Sequence, residues 1–236
     1  SFESSVGLLH DEVYYGRTSY FAEPRFDIDR LEVLRGPQGT LFGKNTVAGV
    51  FSITSRPVTE EWQVNFETGG SENGGQKVEL GAGGMINDWF GLRVSAFDLK
   101  YEGELYNSFL DRNEENPEQR AQRLKMLFLP DEQTDIELIL LRTDTDSNFW
   151  ALQLMNLDEG TRDYLTQFDE DVEDDPLDFH TSFNVPGEFT ARETATNVIK
   201  ITRDLGSAFG LSNFDSTLIL AHTDADTGVR ADLDVS

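Results

Sequence analysis

From residue 62 onward, apolar and polar positions alternate with a period of two in one segment after another. "WQVNFET" puts Trp62, Val64 and Phe66 on one face and Gln63, Asn65 and Glu67 on the other. "KVELGAG" sets Val78, Leu80 and Ala82 against Lys77, Glu79 and Gly81. "FGLRVSAFDLKYEG" places Phe90, Leu92, Val94 and Ala96 opposite Arg93 and Ser95. "RLKMLFL" alternates Leu124, Met126 and Phe128 with Arg123, Lys125 and Leu127. "DIELILLRTDT" sets Ile136, Leu138 and Leu140 against Asp135 and Glu137. "TNVIKIT" and "FDSTLILAHT" close the series, with Ile199 and Ile201, then Leu218 and Leu220, on one face. Successive side chains of a strand point to opposite faces, so these segments predict seven strands after residue 60.

The connections carry a second pattern. After the first hairpin they are short at 85–89, 130–134 and 204–213, and long at 106–120 and 148–192. A meander with short turns at one end and long loops at the other reads as an up-and-down membrane barrel. A soluble sandwich alternates as well, so the loop asymmetry, more than the alternation, separates the two. The 148–192 segment exceeds any ordinary hairpin connection, which marks it as functional or mobile.

Residues 1–58 read as a separate compact unit. Strand-like pieces lie at "DEVYYG", "IDRLEVLRG" and "GVFSITS", and Gly36-Pro37 must end the second of them. The expected organisation is therefore a mixed unit over 1–58 and antiparallel barrel strands over 59–236, with the barrel incomplete.

Charge narrows the function classes. The 236 residues carry 44 acidic and 19 basic side chains, a formal net charge of −25. That argues against nucleic acid and against docking on anionic headgroups through basic clusters. There is no cysteine, which excludes disulfides, thiolate metal sites and cysteine nucleophiles. The three histidines, His10, His180 and His222, are far apart, so no histidine-rich zinc site is expected. No apolar run approaches the ~20 residues of a membrane-spanning helix. The chain starts without methionine and stops inside a strand pattern, which predicts a fragment of a longer protein.

The stretch "RLEVLRGPQGTLFGKNTVAGVFSI", residues 30–53, resembles a phosphate-binding loop at first reading. That loop needs G-x-x-x-x-G-K followed by Ser or Thr. Gln38 stands at the first glycine and Asn45 at the hydroxyl that would hold magnesium, so nucleotide binding is rejected. "GAGGMI" at 81–86 fails the dinucleotide fingerprint because Ile86 replaces its last glycine. The acidic run "FDEDVEDDPLD" at 168–178 could collect a hard cation, but its spacing is not that of an EF-hand and a solvated loop is the simpler reading. "DADTG" at 224–228 reads as a strand-end turn. No G-x-S-x-G or H-E-x-x-H appears, so nothing specific supports an enzyme, and no cofactor is expected. In "VYYGRTSYF", Tyr14, Tyr15, Arg17 and Tyr20 could line a ligand site or be ordinary aromatics of a half-buried hairpin.

"FDIDRLEVLRGPQGTLFGKNTVAGVFSITSRP", residues 26–57, resembles the end of the plug domain of TonB-dependent outer-membrane receptors. Glu32, Arg35, Gly36, Pro37, Gly39, Leu41, Gly43, Asn45 and Gly49 match the motif. Ala48, Phe51 and Ser52 depart from it conservatively. "HDEVYYGR" is similar to an upstream family segment, with Glu12 where glycine is usual, and "GMINDWFGLRVSAF" to the first periplasmic turn with an inward arginine, Arg93. Only residues 12–57 carry specific motifs.

The resemblance implies a barrel of about 22 strands around a plug, of which this chain holds the C-terminal part of the plug and the first strands. It implies import of a scarce nutrient, such as a ferric siderophore, haem, cobalamin or an oligosaccharide, energised through TonB, whose contacting segment lies outside this chain. A small-molecule or metal-chelate ligand and outer-membrane lipid are the other implied partners. Arg35 is then expected to hold the plug to the wall by pairing with a carboxylate there, with Lys44 in a similar part or facing lumen water. The apex candidates for ligand are Tyr14, Tyr15, Arg17 and Tyr20, and the outer-loop candidates are Phe149, Trp150 and Phe168. A passive porin-like barrel and a soluble adhesin-type β-protein remain as alternatives.

Overall fold

A computed structural model describes residues 5–17, 20, 22–42, 46–72, 74–103, 105–107, 111–114, 117–147, 157–167, 180–181, 189–207 and 214–230. The N-terminal unit is a four-stranded mixed sheet of order β2-β1-β4-β3, from β1 (Val6–His10), β2 (Val13–Tyr15), β3 (Ile28–Arg35) and β4 (Gly49–Ser55). The short "VGLLH" strand β1, unmarked by any period in the sequence, is one of its two inner strands. It pairs antiparallel with β2 and parallel with β4. Asp11 and Glu12, with φ of 48° and 66°, make the two-residue turn between β1 and β2. Such tight hairpins need two consecutive left-handed residues, which explains why glycine would suit position 12.

Between β3 and β4 the chain turns at Gly36-Pro37 and makes one helical turn, α1 (Gly39–Phe42). The amides of Gly36, Gln38 and Phe42 donate to the carbonyls of Ala48, Thr46 and Gln38. These donors are spent within the chain and cannot cradle a phosphate. Gly49 has φ of 151°, and a Cβ there would sit 2.5 Å from the Leu34 carbonyl oxygen. The motif's glycine is therefore required by the close approach of β3 and β4.

The second sheet has seven strands in the order β14-β13-β11-β10-β7-β6-β5. They are β5 (Gln63–Gly70), β6 (Gln76–Asn87), β7 (Phe90–Lys100), β10 (Glu118–Asp131), β11 (Thr134–Ser147), β13 (Phe189–Asp204) and β14 (Asp215–Arg230). Every neighbour pair is antiparallel and consecutive, the meander that the alternation predicts. The connections at 88–89 and 132–133 are tight turns. The long connections carry β8 (Leu105–Asn107), β9 (Arg112–Glu114), α2 (Glu159–Leu165) and β12 (His180–Thr181). Strands β12, β8 and β9 join in a small sheet, so two long connections meet at one end of the meander.

One face of the meander is an apolar surface. Register rows read Phe90–Phe128–Ile136–Ile201–Leu218 and Leu92–Met126–Leu138–Ile199–Leu220. A third row, Val64–Ala82–Val94–Leu124–Leu140, turns polar at Asn197 and His222. A fourth, Phe66–Leu80–Ala96, turns polar already at Gln122 and Arg142. The polar limit thus steps down in register from β6 to β14. A level belt crosses register rows obliquely only when strands are tilted to the barrel axis, as in a barrel wall. Trp62, Trp89, Val64, Phe66 and Leu220 are all more than half exposed on this surface. The N-terminal sheet packs on the opposite face, where Val13 meets Ile139 and Val198, and Phe26 meets Phe97 and Ala121.

Candidate functional site

The inner face of the meander is basic where the N-terminal sheet touches it. Arg93 and Arg123 are 1% and 2% exposed and Lys125 is 3% exposed. Lys125 and Arg93 are direct cross-strand neighbours. Like charges placed opposite each other repel, and a buried cation needs an opposite charge. Both requirements are met from the N-terminal sheet.

Asp27, just before β3, is 1% exposed and has φ of 50°. Its carboxylate accepts from Nε and Nη2 of Arg93 at 2.7 and 2.5 Å, a two-pronged pair. Arg93 also donates to Asn65, and the Asp27 amide donates to Glu79 at 2.7 Å. Burial alone would raise the Asp27 carboxyl, but its bonds and charge pairing with Arg93 hold it below the usual range. Phe26 beside it stacks on Phe97 at 5.8 Å, lies 4.4 Å under the Arg123 guanidinium, and its carbonyl accepts from Arg123 at 3.1 Å. Burying such a ring contributes about 1.5–3 kcal/mol.

The glycines of "GAGG" make room for this pair. A Cβ on Gly81 would lie 2.6 Å from both the Asp27 carboxylate and the Asn65 side chain. One on Gly83 would lie 2.4 Å from the Arg93 Cα. The segment that fails as a dinucleotide fingerprint is a groove for the arginine.

A second contact uses the β1–β2 turn. Asp11 accepts from the Ser55 amide and hydroxyl at 2.9 and 2.6 Å, and Lys125 approaches it at 3.6 Å. Lys125 also donates to the Ser55 carbonyl at 3.3 Å. Desolvation would raise Asp11, but Lys125, then His10 and Arg123, bring it down to about 2. A third contact lies at Glu23, which takes Arg192 at 3.0 Å and the hydroxyls of Thr194 (2.9 Å) and Thr143. Glu12 reaches Lys200 at 2.8 Å near the surface. In all four contacts the acid belongs to the N-terminal sheet and the base to the wall.

The structure redistributes the sequence-predicted residues. Tyr15 donates to Thr196 at 3.4 Å and its ring lies 4.8 Å from Tyr20, whose face carries Arg192 at 4.4 Å. Two of the four apex tyrosine–arginine candidates therefore grip the wall, while Tyr14 is half-buried and Arg17 is exposed. Arg35 is exposed at the end of β3, an edge strand of the N-terminal sheet. Exposed Leu31 and Val33 share that edge, although one packed face was expected there. Glu32 pairs with Arg30 at 3.1 Å. Gly43, Lys44, Asn45, Phe149, Trp150, Phe168 and the acidic run lie outside the described residues. Sequence reasoning marked Arg93 as inward but missed Asp11, Glu23 and Asp27. Of their partners Arg93, Lys125 and Arg192, the first two were visible as charges on the polar face of a strand.

No family model matches the chain. The iron-regulated outer membrane virulence protein of Vibrio cholerae is 27% identical over 128 residues, covering 51% of this chain and 19% of that protein. The ferric yersiniabactin uptake receptor FyuA from Yersinia pestis superposes over 94% of this chain and 32% of its own, with a TM-score of 0.77 and 18% identity. The pyoverdine outer membrane receptor FpvA from Pseudomonas aeruginosa covers 97% of this chain and 31% of its own, at 0.73 and 14%. The ferric-catecholate import receptor Fiu from E. coli covers 96% and 33%, at 0.68 and 13%. The chain spans about a third of the length of these solved receptors. It has the fold of these outer-membrane receptors, part of a plug packed on part of a barrel wall.

Proposed function

We propose that this chain belongs to an active-transport receptor that imports a scarce nutrient across the outer membrane, with ferric siderophores the favoured class and energy supplied through TonB. The observation that carries this reading is the buried Asp27–Arg93 pair, which fastens the plug to the lumen face of an apolar-belted wall. A passive porin has no use for an obstruction held by a buried ion pair, and a soluble adhesin has none for an apolar belt. The siderophore class is supported by the uptake receptors that share the fold. Arg17, which is exposed, and Tyr14, which is half-buried, are the plug residues offered to ligand, and the reading involves no enzymatic step.

The test is uptake of iron-loaded siderophores by cells lacking the complete gene, with and without a functional TonB. Loss of uptake of at least one siderophore, restored by the gene only when TonB is present, is expected. Uptake restored equally without TonB would sink the energised reading in favour of the passive one.

A further inference from the structure

We infer that His10 is an acid-sensitive latch: neutral, it lets the β1–β2 turn of the plug rest on the wall, and protonated, it drives that turn off. The inference concerns the plug–wall contact and holds whatever solute is carried.

His10 closes β1 at the point where plug and wall meet. Its Nε2 lies 3.4 Å from Nη2 of Arg123. A guanidinium only donates, so this contact requires an unprotonated Nε2 as acceptor. The charged groups around the ring come from every element packed on it. Asp11 follows it in the turn at 3.8 Å, and Tyr15 of β2 stands 6.5 Å away ring to ring. Arg123 and Lys125 approach from β10, and Arg25 from the segment ahead of β3. Glu137 of β11 is engaged by Lys125 at 3.7 Å, and Glu23 lines the same small crevice but is taken by Arg192. Arg123 lies against the ring itself, and Asp11, the acid beside it, is already shared with Lys125 and Ser55. A proton on His10 would turn its Arg123 contact into two facing donors, at a ring largely withdrawn from solvent, where screening is weak.

Burial, then Arg123, Lys125 and Arg25, outweigh Asp11 and bring His10 down from 6.5 to about 4. A group with a lowered folded value stabilises the closed contact fully above its free value, and that stabilisation is lost as pH falls towards the folded one. The window is thus pH 6.5 down to about 4.

The test is hydrogen exchange of the complete receptor in lipid, comparing the native protein with His10→Gln, whose side chain can still accept from Arg123. Both should protect residues 8–14 equally at pH 7.5. At pH 5 the native protein should open this segment about thirtyfold more often than the variant, as linkage between a free value of 6.5 and a closed value of about 4 requires. Within the native protein, β3 and the wall strands serve as controls and should keep their protection. If His10→Gln follows the native profile at every pH, or if native residues 8–14 stay equally protected from pH 7.5 to 5, the latch does not exist. Uniform loss of protection across plug and wall would overturn it too.

Discussion

At the scale of single residues, four carboxylates decide how the plug sits. Asp27 is the most deeply placed, and among the described residues it is the carboxylate that pairs with Arg93. Asp27→Ala should therefore cost about 3–5 kcal/mol of plug retention, the usual result of stranding one member of a buried pair. Denaturant-induced release of the plug, followed by protease access to residues 20–30, measures this. Asp11 predicts an acid limb separate from that of His10. Its folded value of about 2 lies below the free value of 3.8. The stabilisation, on the order of 2 kcal/mol, is complete above pH 3.8 and is lost as pH falls towards 2. Asp11→Asn should flatten the release curve in that range, while the limb that starts at pH 6.5 persists and reaches lower, because Asp11 no longer raises His10.

At the scale of elements, β6 shows how a strand is shaped by its neighbour's side chain. Gly81 and Gly83 face the plug, and each would place a Cβ inside the space of Arg93. Gly83→Ala meets backbone at 2.4–2.5 Å, which a flexible side chain cannot relieve. A loss of about 1–3 kcal/mol is expected from such overpacking, read as a lower thermal midpoint of the complete receptor. The register also places Lys125 beside Arg93. Two buried cations side by side need counter-charges, and Asp11 and Asp27 of the plug supply them together with Glu137 of β11, so β7 and β10 are coupled to the plug. A double-mutant cycle of Asp27→Asn with Lys125→Met should show non-additivity above 0.5 kcal/mol.

At the scale of the whole molecule, the oblique apolar belt states where the wall belongs. The apolar part of β7, from Phe90 to Ala96, spans about 20 Å along the strand, close to the ~25 Å band of outer-membrane barrels. Trp62, Trp89, Phe90 and Phe128 gather at its short-turn end, where aromatic side chains meet the lipid–water interface. Ile199→Lys lies in the middle of this belt and should cost about 2–4 kcal/mol of folding into lipid vesicles. A soluble protein would tolerate a lysine at this 42% exposed position with little change.

Much of this was legible in the sequence. A strand exposed to lipid on one side and polar on the other has a period of two, so the local pattern alone determined seven strands, their order as a meander and the face turned to the membrane. The glycine and proline positions of residues 36–49 likewise determined a turn, because few other residues adopt that backbone. What tertiary structure decided was pairing across sheets. β1 carries no periodic signal because it is covered on both sides. Asp11, Glu23 and Asp27 look like any other three of 44 acids, and only the packing of one sheet on another buries them against wall cations. A strand's own pattern says which of its faces is polar, but which charge that face meets depends on residues far away in the chain. That distance is 66 positions for Arg93 and Asp27.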